Sequence, residues 1–376
     1  MSAADGFGMS AAGRHRLAHL DGLRGLAASL VLYQHLVEYL ANAAPAGAWM
    51  RLHADWLLGH LDLGKLGVVI FFALSGYIVP FSFPAAAPRV GFVLSRVFRL
   101  YPAYWLSLAA AAWLLPTLSA ANFSSGQLLA NASMVQMLLK QPDVLGVYWT
   151  LLIEVLFYGL CFALYCVDGL RSARVLGSVF GVMLLLALGS AVLRNGGMQG
   201  APVGLPLYLS VMLFGTMLRR ATLEQDALAR RCIAVMLPAL CVVVPLAWAT
   251  AYDDHSHRES VLADVSAFWL GLLIFVGVAK FKALAWRGLI YLGAISYPLY
   301  LLHPLALEIG RHLAAGQPWP LSAGTLIAAT LLLTLAASHA VHRWVETPSI
   351  RWGRQLVSAF SQRWGLAGRG KGMHAS

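Results

Sequence analysis

Arg24 and His35 stand eleven residues apart in the largely apolar stretch "LDGLRGLAASLVLYQHLVEYL". At 100° per residue, that spacing returns the imidazole to within about 20° of the guanidinium's face, about 16 Å farther along a helix. One face therefore presents a cation near the edge of a bilayer and, deeper in, a group that titrates near neutral pH. A hydrogen-bonded structural histidine with a snorkelling arginine is the alternative. A second pair, Arg96 and Arg99 in "RVFRLYPAYW", lies one turn apart at the lip of another apolar run. Two guanidinium forks at that spacing suit a ligand carrying several phosphates. Anchoring the chain's topology is the other reading of the same residues.

Other polar groups sit where apolar neighbours make them costly. Glu154, in "YWTLLIEVLFYGL", falls near the middle of an apolar run, where desolvation opposes an unpaired carboxylate. His35 and Arg24 are its natural partners, and Glu38 is the local competitor one turn from His35. An ion pair that merely pins two helices is the plain alternative for Glu154. Tyr297, Tyr300 and His303 in "ISYPLYLLHPLALEI" follow an i, i+3, i+6 pattern that keeps them broadly on one side, beside Pro298 and Pro304, which free backbone carbonyls. Binding and packing are both open to this cluster. Ser75 in "FFALSGYIVP" lacks the G-x-S-x-G elbow of a hydrolase nucleophile and reads as a hydrogen-bond donor. His255 and His257 in "DDHSHRE" have no ordered scaffold for a metal, and His339 and His342 read as interfacial packing. No metal site is expected. No Walker A, dinucleotide fingerprint or H-E-x-x-H occurs, and the four cysteines form no C-x-x-C pair.

The elements that must position these groups are membrane helices. Of 376 residues, 59% are hydrophobic and 11% charged, too few charges for a soluble domain. Hydropathy predicts an all-α polytopic bundle of about ten spans: 20–44, 64–83, 100–118, 147–167, 175–193, 203–218, 232–251, 261–279, 289–309 and 321–344. The shorter run 127–139, with Gln127, Asn131 and Gln136, reads as an interfacial or re-entrant segment. With the N-terminus in the cytoplasm, twenty of the 27 Lys and Arg fall on cytoplasmic segments and six outside, and Arg24 lies within the first span. That asymmetry follows the positive-inside rule, predicts both termini cytoplasmic, and explains the net charge of +11 without a nucleic-acid partner. The A-x-A pattern in "LANAAPAGA" is not read as a cleavage site, because Arg24, His35 and Glu38 interrupt the preceding apolar region. The chain divides into a cytoplasmic tail (1–16), one membrane domain (17–350) and a basic cytoplasmic tail (351–376).

Taken together, these segments resemble the acyltransferase-3 family of bacterial membrane acyltransferases. The matching pieces are the R-x10-H spacing of Arg24 and His35, the F-F-x-x-S-G pattern around Ser75, the R-x-x-R of Arg96 and Arg99, and the stretches "YWTLLIEVLFY", "ISYPLYLLHPL" and "HRWVETP", in that order over roughly 17–350. The chain departs from the larger members in carrying no appended extracytoplasmic esterase-like domain. The resemblance implies transfer of an acyl group, acetyl foremost, from acetyl-CoA to a hydroxyl of a carbohydrate or glycoconjugate acceptor, in the bacterial inner membrane. It implies His35 as general base with Glu154 as its carboxylate, and acyl-CoA bound by Arg24, Arg96, Arg99 and Ser75. Tyr297, Tyr300, His303, Trp149 and Tyr158 would then meet the substrate. The competing class is a transporter or flippase for a lipid-linked glycan, which would show paired inverted repeats with broken helices. None is visible in the sequence. Acceptor identity, acyl length, the side of the membrane on which transfer finishes, the choice between Glu154 and Glu38 as partner of His35, and oligomeric state are left open.

Overall fold

The structure, a computed structural model, describes residues 11–42, 48–85, 87–252, 260–315 and 323–363. In chain order the helices are α1 (Ala11–Asn42), α2 (Ala48–His60), α3 (Leu63–Ile78), α4 (Pro88–Ser119), α5 (Ser125–Ala132), α6 (Trp149–Cys166) and α7 (Ala173–Asn195). They continue as α8 (Gly204–Thr222), α9 (Ala227–Ala251), α10 (Val261–Phe281), α11 (Arg287–Ala294), α12 (Ser296–Ala315), α13 (Ala323–Val341) and α14 (Thr347–Arg363). A π turn, His342–Glu346, joins the last two. No strand occurs among the described residues, as the all-α expectation requires.

Among the described residues, each apolar range read from hydropathy falls largely on helix, with 289–309 divided between α11 and α12. By length and composition, however, six stretches could cross a membrane, or seven if the two helices flanking Ile295 count as one. Ten were expected. Helices α1, α4 and α8 are long enough, at 32, 32 and 19 residues, but dilute in apolar character. α1 carries Asp21, Arg24, His35 and Glu38, α8 ends in Arg219 and Arg220, and Tyr, Trp and Pro interrupt the apolar half of α4.

Helix starts follow local chemistry. Asp62, Ser124, Ser172, Asp226 and Ser260 precede α3, α5, α7, α9 and α10, and each side chain accepts from an amide of the first turn. Such caps satisfy donors that have no partner within the helix.

The chain forms two compact units, Met1–Pro80 with Ile153–Ser296 and Phe81–Leu152 with Tyr297–Ser376. In the first, α1 packs on α3 and α11, α3 packs on α8 and α10, and α7 to α9 pack on one another. Its core includes the fully buried Leu23, Ile70, Phe214, Phe268 and Phe275. The α3–α8 seam depends on two missing side chains. A Cβ at Gly76 would overlap the carbonyl oxygen of Met212, and one at Gly215 would overlap that of Ala73. Close backbone approach through small residues is how helices associate where lipid removes the hydrophobic drive. At one end of this unit Lys65 pairs with Asp264, whose side chain is 2% exposed.

In the second unit, α4 packs on α5, the π turn and α14. The run expected to be interfacial is α5 followed by tight turns, and it is tied to α4 by side chains. Tyr104 donates to the Asn131 carbonyl (2.7 Å), Trp105 to Ala132 (2.9 Å) and Tyr101 to Ser133 (3.0 Å). Leu129, Met137, Leu138 and Leu139 of this run are exposed. The segment read as a basic tail from residue 351 is helical to Arg363, and its helix packs on α4.

Candidate active site

The first unit holds Arg24, His35, Ser75, Glu154 and Tyr158. α1 is unbroken between Arg24 and His35, so the one-face geometry inferred from their spacing holds, and both side chains are half-buried. The residue before His35, Gln34, is 1% exposed. Its side-chain oxygen accepts from the Leu63 amide (3.3 Å) and its nitrogen donates to Glu38 (2.8 Å), which ties α1 to the start of α3. Glu154 accepts hydrogen bonds from Tyr158, one turn away on α6, and from Ser75 on α3 at 3.5 Å. Two motif segments separated in sequence, "FFALSG" and "YWTLLIEVLFY", thus converge on one carboxylate. Of the two carboxylates suggested for His35, Glu38 is held by Gln34, and Glu154 by a serine and a tyrosine.

The second unit holds Arg96, Arg99, Trp149, Tyr297, Tyr300 and His303. Its two arginines differ. Arg96 is 9% exposed; it donates to Ser82 Oγ at 2.8 Å and lies over the Phe92 ring at 5.4 Å, while Phe92 stacks on Phe83. Arg99 is half-buried. The tyrosine hydroxyls are engaged by backbone: Tyr297 donates to the Leu100 carbonyl (2.9 Å), and Tyr300 donates to the Val147 carbonyl (3.1 Å) beside Thr150 Oγ1 (2.9 Å). The Tyr300 ring lies 5.9 Å from that of His303. His303 is fully buried, and its Nδ1 donates to the Leu299 carbonyl at 3.2 Å. In a neutral ring this puts the lone pair on Nε2. Trp149 opens α6 and is half-buried.

Sequence reasoning missed several partners. Ser82 lies outside the motif segments, and Gln34 and Thr150 lie within them without being singled out, since a buried polar side chain becomes legible only once its neighbour is known. His342, read as interfacial packing, instead donates from Nδ1 to Glu346 at 2.7 Å, and Glu346 is 4% exposed. A signal was present there: an acid four residues from a histidine, in a segment already singled out. His255 and His257 lie outside the described residues.

Comparison with known proteins agrees with the family resemblance. Residues 17–339 match the acyltransferase domain family. The chain is 28% identical to the exopolysaccharide production protein ExoZ of Rhizobium meliloti, over 85% of this chain and 99% of ExoZ. It is 24% identical to the acyltransferase MdmB of Streptomyces mycarofaciens, over 89% and 92% of the two chains. Against the O-acetyl transferase of Shigella phage Sf6 the identity is 27%, over 46% and 51%. No solved structure matches. The match covers the segment that carries Arg24, His35, Ser75, Arg96, Arg99 and Glu154, and so the chain belongs to the acyltransferase domain family and is a membrane acyltransferase.

Proposed function

We propose that this enzyme moves an acyl group, acetyl foremost, from acyl-CoA to a hydroxyl of a carbohydrate acceptor in the bacterial cytoplasmic membrane. The acceptor class is a cell-surface polysaccharide, a lipid-linked glycan or a glycosylated small molecule. Support for acetyl and for carbohydrate comes from relatives named for O-acetyl transfer and exopolysaccharide production. The observation that carries the reading is Arg24 and His35 on one face of an unbroken α1, inside a domain that matches an acyltransferase family from 17 to 339.

In this reading the acceptor oxygen attacks the thioester carbonyl, a C–O ester bond forms and the C–S bond breaks. His35 takes the hydroxyl proton and returns it to the departing thiolate, so CoA leaves as the thiol. A carboxylate that orients the ring and stabilises the imidazolium is Glu154, itself braced by Ser75 and Tyr158. Arg99, with Arg96, meets the phosphates of the donor. Trp149, Tyr158, Tyr297, Tyr300 and His303 border the acceptor. The test uses purified protein in nanodiscs with acetyl-CoA and an isolated polysaccharide. Free thiol is followed by a colorimetric reagent and the glycan by mass spectrometry. Thiol release with matching glycan acetylation, both abolished in His35→Ala of unchanged thermal stability, is the expected result. Full turnover in that variant refutes the assignment.

A further inference from the structure

We infer that the C-terminal helix α14, set in register by the π turn before it, positions the turn of α4 that carries Arg96 and Arg99. The inference rests on the reading of those arginines as the donor-phosphate site.

The starting point is Pro102, which lies inside α4. A proline has no amide proton, so the carbonyl four residues earlier loses its helical partner. That carbonyl belongs to Phe98, between the two arginines. In an apolar surrounding an unsatisfied carbonyl is costly, and irregular backbone persists there only when another group satisfies it. Ser349 supplies the group: its hydroxyl donates to the Phe98 carbonyl at 2.6 Å. One turn further along α14, Gly353 lets the helices close, because a Cβ there would sit 2.7 Å from the Cβ of Phe98. Ser349 and Gly353 are i and i+4, so one face of α14 clasps α4 at the arginine turn.

The register of that face comes from the π turn. The chain from Gly324 to Arg363 runs as continuous helix, interrupted only at His342–Glu346, where the Thr347 amide bonds back to the His342 carbonyl, five residues away. One extra residue in a turn rotates all that follows by about 100° relative to an uninterrupted helix. Without it, Ser349 and Gly353 would point away from α4. Pro348 explains why the ladder breaks here, since its ring conflicts with the carbonyl of Trp344. The bond from His342 to the buried Glu346 spans the same five residues and closes the turn with a side chain. Ser349, Gly353, His342 and Glu346 are thus positioning residues: they act on the donor through α4.

The experiment measures steady-state kinetics on the full-length protein in nanodiscs, varying acetyl-CoA and acceptor separately. Ser349→Ala and Gly353→Ala are expected to raise the acetyl-CoA KM five- to tenfold, with kcat within twofold and acceptor KM unchanged. Ser349→Thr, which keeps the hydroxyl, is expected to restore the value. Pro102→Ala returns an amide to Phe98, so in that background Ser349→Ala is expected to lose most of its effect. Additive effects of the two changes overturn the inference, and so does a fall in kcat, both KM values and thermal stability together, the mark of a merely structural helix. Arg99→Ala separates the two levels. A raised acetyl-CoA KM in Arg99→Ala with none in Ser349→Ala or Gly353→Ala overturns this inference alone, whereas no change in Arg99→Ala overturns the donor-site reading beneath it.

Discussion

The guanidinium of Arg96 donates to Ser82 Oγ at 2.8 Å, fourteen residues back along the chain, while Arg99, one turn on, makes no such bond to Ser82. Two arginines that look alike in sequence therefore have different work. Arg96 fastens α4 to the segment before it, and in the proposed mechanism Arg99 is the one of the pair that chiefly meets the donor phosphates. Arg99→Ala is expected to raise the acetyl-CoA KM by about tenfold or more, as befits losing one charge-assisted hydrogen bond of about 1.5–3 kcal/mol, with melting temperature unchanged. Arg96→Ala is expected to lower the melting temperature, and Ser82→Ala to reproduce part of that loss. Equal kinetic effects and equal stabilities for the two arginine variants would contradict the division.

Side chains of α3 and α6 converge on the Glu154 carboxylate. Glu154→Gln keeps the size and the ability to accept from Ser75 and Tyr158 but removes the charge that would stabilise an imidazolium. The expected outcome is a kcat lowered by about 10²-fold, the lower end of general acid–base contributions, with little change in either KM. Tyr158→Phe removes one donor and is expected to have a smaller effect. A Glu154→Gln enzyme with normal kcat and a lowered melting temperature assigns the residue to helix pinning instead.

The seam between α3 and α8 is testable apart from catalysis. Gly76→Ala drives a methyl group into the Met212 carbonyl, so the helices must separate. Overpacking of this kind costs about 1–3 kcal/mol, and more where backbone blocks the site. The control is Gly159→Ala on α6, where an added methyl meets nothing within 4 Å. Thermal melts in detergent are expected to show a marked drop for the first and none for the second.

Asp226 gives an acid-side prediction outside the spans. Hydrogen bonds from Arg220 and then from the Ala229 amide hold its carboxyl below the usual carboxylate range. A carboxyl depressed in the folded state stabilises the fold above its unfolded value, about 3.9, and that contribution is lost as pH falls through the lower folded value. Asp226→Asn keeps an acceptor for the Leu228 and Ala229 amides but has no charge for Arg220. Its melting temperature is expected to fall slightly at neutral pH and to depend less on pH below about 5 than that of the parent. Parallel pH profiles for the two proteins would show that the pair contributes nothing.

Much of this protein was legible in the order of its residues. Helix positions followed from apolar runs, because helix formation is settled within a few residues of chain, and the structure then shows Asp62, Ser124, Ser172, Asp226 and Ser260 capping five of the starts. The shared face of Arg24 and His35 needed only the helical period. The family, too, was readable from motif types, spacing and order. What the sequence left undecided were the partners: Ser75 and Tyr158 for Glu154, Ser82 for Arg96, Ser349 for the carbonyl that Pro102 frees at Phe98. Those depend on which helices are neighbours and how each is rotated. A single π turn at His342–Glu346 changes that rotation by about 100°. Local hydrogen bonding thus sets where helices begin and end, and only packing between distant segments decides which side chains meet.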